Sequence, residues 1–274
     1  MMSRGTALTL AAALAVGAVM IGGNGPTTLT AQQGYQVPRT PEGHPDMEGI
    51  WQVINSAEAN IQDHGAELGV APGRAVVENN EIPYQPWALE QQQKNNADRA
   101  TTDPARNCGY PGVPRIMYMP FPFKIVQTQD FVGMYFEFGH HIRFIHTTGF
   151  PHHERIPFWM GDSRGSWDGD TFVIDSKNFT ENTWFDRAGN FHSEELHVVE
   201  RLTRTGQDHI RYEATIEDPK VFTRPWKMSM PLYRRVEADA QLMEYECFAM
   251  QVFDGLWEDL EKIAEEGGIE GANQ

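Results

Sequence analysis

From residue 123 onward, short segments of alternating apolar and polar residues follow one another, separated by turn signals rather than by helical segments. Sequential short strands joined by turns are typical of an antiparallel meander. One hairpin is especially clear, because Asp168-Gly169 is a strong turn pair between two apolar runs. The predicted strands cover residues 124–128, 131–138, 141–147, 166–167, 170–176, 195–203, 209–217, 228–236 and 241–249. The sequence therefore predicts a mainly β fold, an antiparallel meander that forms a barrel or a curled sheet.

The segments on either side of this meander have a different character. Residues 32–122 combine a Pro- and Gly-rich arm, a short strand at 49–54, a polar helix at 86–97 and a Pro-rich loop. They predict an irregular and partly helical lead-in. In the tail, apolar residues recur at helical spacing opposite acidic residues. We therefore expect the meander to cover residues 123–251, and a C-terminal amphipathic helix with its tail to cover residues 252–274.

Residues 1–31 carry the pattern of a secretory signal peptide. Arg4 supplies a positive start, residues 7–21 form an apolar run, and residues 29–31 offer a cleavage site. The apolar run is too short for a stable membrane span, which makes a retained anchor the weaker alternative. We therefore expect a periplasmic or secreted protein that is not inserted in a membrane after cleavage.

Charge and cysteine content narrow the class of partner. The formal net charge is -16, and such an acidic chain is a poor candidate for nucleic acid or for an anionic membrane surface. A small molecule, as ligand or substrate, is the expected partner. The two cysteines, Cys108 and Cys247, would most simply form a disulfide in an oxidising compartment, and two buried free thiols are the alternative.

Half of the ten histidines lie between positions 140 and 153, beside aromatic and acidic residues, and this concentration predicts a site. Alternation along the strand at 141–147 separates two sets of residues. One face carries His140, Ile142, Phe144 and His146, and the other carries His141, Arg143 and Ile145. The first set is the more apolar, so it is predicted to face the interior of the barrel.

A metal site is a weaker interpretation of these histidines. On one strand, His140 and His146 would lie about 20 Å apart, too far for one ion. A metal would have to recruit His153, His192 or Glu246 from other segments, and the spacing matches no standard zinc signature. Structural or ligand-contacting histidines are therefore favoured, and no cofactor or metal is expected.

The acid–base candidates lie in and after the histidine-rich stretch. His192 or His153 could act as general acid or base, with Asp162 or Asp186 to orient it and Arg143 to stabilise negative charge. His192 and Asp186 belong to a long polar loop that could fold over a barrel mouth. The alternative is a salt-bridged loop anchored by Trp184.

A barrel of about eight strands can also hold one small ligand. Polar groups inside an apolar cup would suit an amphipathic molecule. The predicted ligand-binding residues are His140, Phe144, His146, Tyr135, Trp167, Trp184 and Glu246.

Two stretches resemble known families. Gly49-Ile50-Trp51 resembles the Gly-x-Trp of lipocalins, in which the tryptophan seals the closed end of the barrel, and this implies a lipocalin-like (calycin) barrel. Residues 160–171, with 184–189 and 244–247 downstream, are similar to a large family of secreted bacterial β-rich proteins. That resemblance implies an exported β fold but no activity or catalytic residues.

Three functional hypotheses follow. The preferred one is an exported lipocalin-like protein that binds a small hydrophobic or amphipathic molecule. The second is a lyase, isomerase or hydrolase on the same barrel, and the third is a metal-binding envelope protein. An enzyme needs titratable groups that converge on one open space, whereas a carrier needs mainly an apolar cavity.

Overall fold

Nine strands close into one barrel in the computed structural model, which describes residues 35–67, 69–249 and 262. The strands are β1 (Gly49–Gln52), β2 (Phe123–Gln127), β3 (Phe131–Phe136), β4 (Ile142–His146), β5 (Asp162–Asp168), β6 (Thr171–Lys177), β7 (His197–Gly206), β8 (His209–Glu217) and β9 (Trp226–Arg234). The described residues also contain the helix α1 (Pro86–Thr102), three short 3-10 turns (Glu78–Asn80, Arg115–Tyr118 and Phe138–His140) and helical residues at 247–249. The predicted mainly β barrel is confirmed.

Each strand pairs antiparallel with the next along the chain, with one exception. β4 and β5 run parallel and share a single residue pair, His146 with Arg164. The other neighbouring strands share two or more pairs, and β5 and β6 share seven. The β4–β5 contact is therefore a weak seam in the barrel wall.

The lead-in contributes a strand to the barrel and extends its core. β1 closes the barrel by pairing with both β2 and β9. Further along, Tyr118 donates its hydroxyl hydrogen to the carbonyl oxygen of Phe185 at 2.7 Å, and both side chains are fully buried. Arg115 is also buried and forms two hydrogen bonds to the carboxylate of Asp103, at 2.7 and 2.8 Å. The predicted helix at 86–97 is present and continues to Thr102.

The predicted last strand at 241–249 is wrong. Residues 241–246 have no regular structure and residues 247–249 are helical. A strand at 241–249 would have to pair with the edge of β9, but β1 already pairs with that edge. This segment is instead attached to the lead-in by the predicted disulfide, which the structure contains between Cys108 and Cys247.

Two further sequence predictions lie outside the described residues, namely the signal peptide at 1–31 and, apart from Lys262, the C-terminal amphipathic helix at 252–274. Within residues 35–67 and 69–249, no helix is both long and apolar enough to cross a membrane.

The inside of the barrel is packed with large side chains. Trp51, Phe123, Phe172 and Tyr212 are each at most 1 % exposed and belong to one hydrophobic cluster. Along β8, buried and more exposed residues alternate, as expected when one face of a strand is turned inward. A barrel of this size has an interior just wide enough for side chains to fill. The lumen therefore serves as the protein core.

Candidate ligand-binding cleft

The seam between β4 and β5 opens into a cleft of about 420 Å³. One wall is formed by β4, the other by the start of β5 and by residues 157–161 just before it, and Tyr110 from the lead-in lies at the edge. The volume falls within the range of small-molecule sites, which is about 300–1,000 Å³.

Backbone register explains why β4 presents a free edge here. Phe136 N–H donates to His141 O at 2.9 Å, and Thr147 N–H donates to Asp130 O at 3.0 Å. Because hydrogen-bonded pairs alternate along an antiparallel ladder, residues 141, 143, 145 and 147 direct their backbone groups toward β3. The N–H and C=O groups of Ile142 and Phe144 therefore point to the opposite side, into the cleft.

Gly161 shapes the other wall, just before β5 begins. Its φ is +69°, in the left-handed region, and a Cβ atom there would lie 2.5 Å from the ring of Phe179. Glycine is therefore required both by the backbone conformation and by the close contact. It allows the chain to turn over Phe179 before entering β5.

The orientation of β4 is the reverse of the sequence prediction. Arg143 and Ile145 are the buried residues, at 3 % and 0 % exposure, whereas Ile142 and Phe144 are about half exposed. His146 also faces outward and is exposed. The predicted inner face is therefore the outer face, and Ile142, Phe144 and His146 line a cleft in the barrel wall rather than the lumen.

Aromatic and aliphatic side chains surround the cleft without being buried. Phe144, Trp159 and Tyr110 are 50 %, 41 % and 41 % exposed. Their rings are held by neighbours: Phe144 contacts Phe131 edge-to-face at 5.7 Å, and Tyr110 stacks at 6.0 Å on Trp159. A contiguous exposed apolar patch on a folded protein commonly marks a binding site.

The floor of the cleft is a buried polar network. The guanidinium of Arg143 donates to both carboxylate oxygens of Glu200 and to the hydroxyl groups of Ser163 and Ser176. Tyr212 donates to the same carboxylate at 2.9 Å. Because both charges are buried, each depends on the other for compensation. Arg143 therefore holds the barrel together rather than offering a free positive charge.

Asp162 occupies the wall next to this floor and is also fully engaged. Its Oδ1 accepts from Arg164 at 2.5 Å, and its Oδ2 accepts from the backbone N–H of His153 at 2.8 Å and lies 3.2 Å from His152 Nδ1. Burial acts to raise the pKa of Asp162, but the bonds from His153 N–H and Arg164 outweigh it and lower this pKa. The carboxylate is therefore ionised near neutral pH and orients the His152–His153 segment.

A chain of acidic and histidine side chains continues from Asp162 over the outside of the barrel. His152 Nε2 lies 3.4 Å from Asp175 Oδ1, and His197 Nε2 lies 2.9 Å from the same oxygen. The hydrogen bond from His197 is the main reason why the pKa of Asp175 is lowered. In the described part of the chain, no group of three or more His, Cys, Asp or Glu side chains is arranged to hold a metal ion.

His192 and Asp186 do not form the predicted acid–base pair. The two ring nitrogens of His192 contact Thr183 Oγ1 at 2.7 Å and Ser193 O at 2.9 Å. The carboxylate of Asp186 instead accepts from the backbone N–H of Ile61 and from Asn190.

Both side chains are completely enclosed, His192 at 2 % and Asp186 at 0 % exposure. Burial lowers the pKa of His192 and raises that of Asp186 to about 6. Their long loop is therefore a packed structural element, in which the imidazole of His192 and the carboxylate of Asp186 are hydrogen-bonded to backbone and side-chain groups of the protein.

The remaining predicted ligand residues are spread over other surfaces. His140 Nδ1 lies 2.6 Å from a carboxylate oxygen of Glu246, next to the disulfide, and both side chains are exposed. Trp167 stacks on His44 at 4.8 Å beside a separate cavity of about 460 Å³. The other two predicted ligand residues, Tyr135 and Trp184, also lie outside the cleft. Tyr135 is on the outer face of β3, and Trp184 forms an isolated bridge with Phe191 in the long loop.

The structure thus brings five of the predicted site residues together in the cleft: Arg143, Phe144, His146, His153 and Asp162. Sequence reasoning missed Tyr110, Trp159 and Ser163. For Trp159, the available signal was the apolar run Phe158-Trp159-Met160, which lies in a segment without strand periodicity. Tyr110 follows Cys108 closely, so the predicted disulfide could have placed it near the strands.

Comparisons of the chain with protein-family models, with curated proteins and with solved structures found no match. A barrel fold by itself is compatible with both binding and catalysis. The function must therefore follow from the geometry of the cleft itself.

Proposed function

We propose that this protein binds a small hydrophobic or amphipathic molecule in the β4–β5 cleft. The observation that carries the proposal is the exposed apolar rim, formed by Ile142, Phe144, Trp159 and Tyr110, around a seam with one residue pair. Fully burying a large apolar side chain is worth about 1.5–3 kcal/mol, and these side chains, about half exposed, retain roughly half of that free energy to be gained. A ligand that covers them recovers part of that free energy.

The cleft is better suited to a ligand than the lumen is. Large side chains such as Trp51 and Tyr212 occupy the interior, and the Arg143–Glu200 pair crosses it. A molecule inserted there would have to displace packed side chains and to separate a buried ion pair, which is costly. The cleft offers an open volume, apolar walls and a polar floor.

We further propose that the chain is an exported, lipocalin-like protein, periplasmic or secreted. Three features support this proposal: the signal-peptide pattern of residues 1–31, the Gly-x-Trp stretch within β1, and the Cys108–Cys247 disulfide. Structural disulfides persist mainly in oxidising compartments. Fractionation of the native host, with an antibody against the protein, would test this location.

Binding can be tested with N-phenylnaphthylamine, a neutral dye that fluoresces when it enters an apolar site. The wild-type protein is expected to bind the dye saturably with one site per chain. Phe144→Ala and Trp159→Ala should each weaken binding about tenfold, which corresponds to about 1.4 kcal/mol of lost apolar contact. Trp87→Ala is the matched control, because Trp87 is an exposed tryptophan on α1, at 53 % exposure, away from the cleft. Dye affinities that are equal in all four proteins would refute the proposal.

A further inference from the structure

We propose that the ligand of the β4–β5 cleft is an acid, with an aromatic or aliphatic body and one anionic group that His153 and His146 bind. This inference rests on the proposed function, since it specifies the chemistry of the molecule in the same cleft. Some polar groups of the cleft already have hydrogen-bond partners within the protein. The groups without such partners determine the chemistry of the ligand.

The carboxylate at the cleft surface is not available to a cationic ligand. Asp162 accepts hydrogen bonds from Arg164 and from the backbone N–H of His153, and it contacts His152. Its charge is thereby compensated within the protein. A ligand ammonium group would have to displace an arginine to reach it.

The buried arginine is equally unavailable to an anionic ligand. The three guanidinium nitrogens of Arg143 donate to Glu200, Ser163 and Ser176. Its positive charge is neutralised by a carboxylate that is completely buried. Arg143 is therefore not the residue that binds a negatively charged ligand group, in contrast to the sequence prediction.

Each of the groups that remain can donate a hydrogen bond, although the imidazoles and the hydroxyl can also accept one. Within the described residues, the imidazoles of His146 and His153, the hydroxyl of Tyr110 and the indole N–H of Trp159 have no hydrogen-bond partner, although all four side chains line the cleft. The imidazole of His153 contacts the ring of Phe158, with 5.9 Å between the ring centroids. An imidazole can donate a hydrogen bond in either charge state, and it donates two when it is protonated. The indole can only donate.

Backbone geometry adds donors to the same surface. The N–H and C=O groups of Ile142 and Phe144 both point into the cleft, because the alternate residues of β4 pair with β3. The strand edge thus offers donors and acceptors alike, and the side chains decide the preference. The apolar walls, the donor-only indole of Trp159, the two imidazoles and the compensated carboxylate together match a hydrophobic acid. The chain as a whole carries a formal charge of -16, so the overall field disfavours anions and any preference for an acid must arise locally.

The test compares naphthoate with naphthamide, which have the same ring system and nearly the same shape but differ in charge. Each is used to displace N-phenylnaphthylamine from the intact protein at neutral pH. The acid should displace the dye at an about tenfold lower concentration than the amide, the effect of a charge-assisted hydrogen bond. In the His146→Gln/His153→Gln double variant this ratio, which compares the two compounds within one protein, should fall to about one. His209→Gln is the matched control, since His209 is exposed on β8.

The outcomes separate this inference from the proposed function. If the dye binds and is displaced equally well by amide and acid, the ligand is not an acid but the cleft is still a binding site. If the acid is preferred and the double variant retains the preference, His146 and His153 do not bind the anionic group and the inference is wrong, although the cleft is still a binding site. If the dye does not bind and neither compound binds by calorimetry, both proposals are wrong.

Discussion

Arg143 on β4 and Glu200 on β7 form an ion pair inside the barrel, with Nη1 of the arginine 3.0 Å from Oε1 of the glutamate. Their side chains are 2 % and 0 % exposed. The pair fixes which face of β4 is turned inward, and it thereby leaves Phe144 on the outside at the cleft.

Removing one partner of this pair should be far more harmful than removing both. Arg143→Met would leave the carboxylate of Glu200 buried without its counter-charge, and the free energy of unfolding should fall by about 3–5 kcal/mol. The double variant Arg143→Met/Glu200→Met replaces both charges by apolar groups and should recover most of the loss. Urea unfolding of the three proteins measures this difference. A single variant within about 1 kcal/mol of wild type would contradict the structural role of the pair.

The disulfide should make a large contribution to stability. Cys108 and Cys247 are separated by 139 positions, and on the chain-entropy model a loop of this length stabilises by about 5 kcal/mol. The Cys108→Ser/Cys247→Ser variant should therefore unfold at a clearly lower temperature in calorimetry. Reducing agent should lower the wild-type midpoint toward that of the variant and leave the variant itself unchanged. Equal midpoints for the oxidised wild type and the variant would show that the bridge does not stabilise the fold.

His192 should make the protein less stable as the pH falls. Burial lowers its pKa in the folded state, so below its ordinary value of about 6.5 the unfolded chain takes up a proton that the folded chain does not. The stability contribution is complete above pH 6.5 and is lost at lower pH, by at most about 1.4 kcal/mol per pH unit.

His192→Gln provides the comparison, because it keeps a polar side chain but removes the titration. Between pH 7.5 and 5.5, the unfolding free energy of wild type should decrease by about 1 kcal/mol more than that of the variant. The pKa of His141 is also lowered by burial, and that of Asp186 is raised, but both groups are present in both proteins and cancel in the difference. Parallel pH profiles would show that His192 is not a buried neutral histidine.

Gly161 should tolerate no side chain. Its positive φ and the short approach to Phe179 mean that Gly161→Ala combines backbone strain with a steric clash. We expect a loss of about 1–3 kcal/mol in urea unfolding. Gly169→Ala is the control, since Gly169 also has a positive φ but has no heavy atom within 4 Å of the position of a Cβ. If the two variants lose the same stability, the contact with Phe179 has no cost of its own.

Local sequence patterns were sufficient to predict the fold class but not the interior of the barrel. Alternation and turn pairs such as Asp168-Gly169 located most strands, since these are properties of neighbouring residues. The face of β4 was predicted from its apolar residues, and this failed because the partner of Arg143 is 57 positions away, on a strand that the local pattern cannot pair with it. The predicted last strand failed for the same reason: β1, far away in sequence, takes its place beside β9.

The site was only partly accessible to sequence reasoning. The histidine-rich stretch indicated the region of the cleft, since His146 and His153 both line it. Tyr110 enters from the lead-in and Trp159 from an irregular segment, and no periodicity places either of them. The long polar loop was a misleading signal, since His192 and Asp186 are buried and hydrogen-bonded to neighbouring residues of the protein.

The location of the ligand can be measured directly from the indole N–H signals of the seven tryptophans in a proton–nitrogen correlation spectrum. N-phenylnaphthylamine is added stepwise, and the Trp159 signal is assigned with Trp159→Phe. The Trp159 signal is expected to shift as the dye binds, while the signals of Trp51 and Trp226, which are buried inside the barrel at 0 % and 3 % exposure, stay in place. A shift of the two interior signals with an unmoved Trp159 signal would place the ligand in the lumen and contradict the cleft as the binding site.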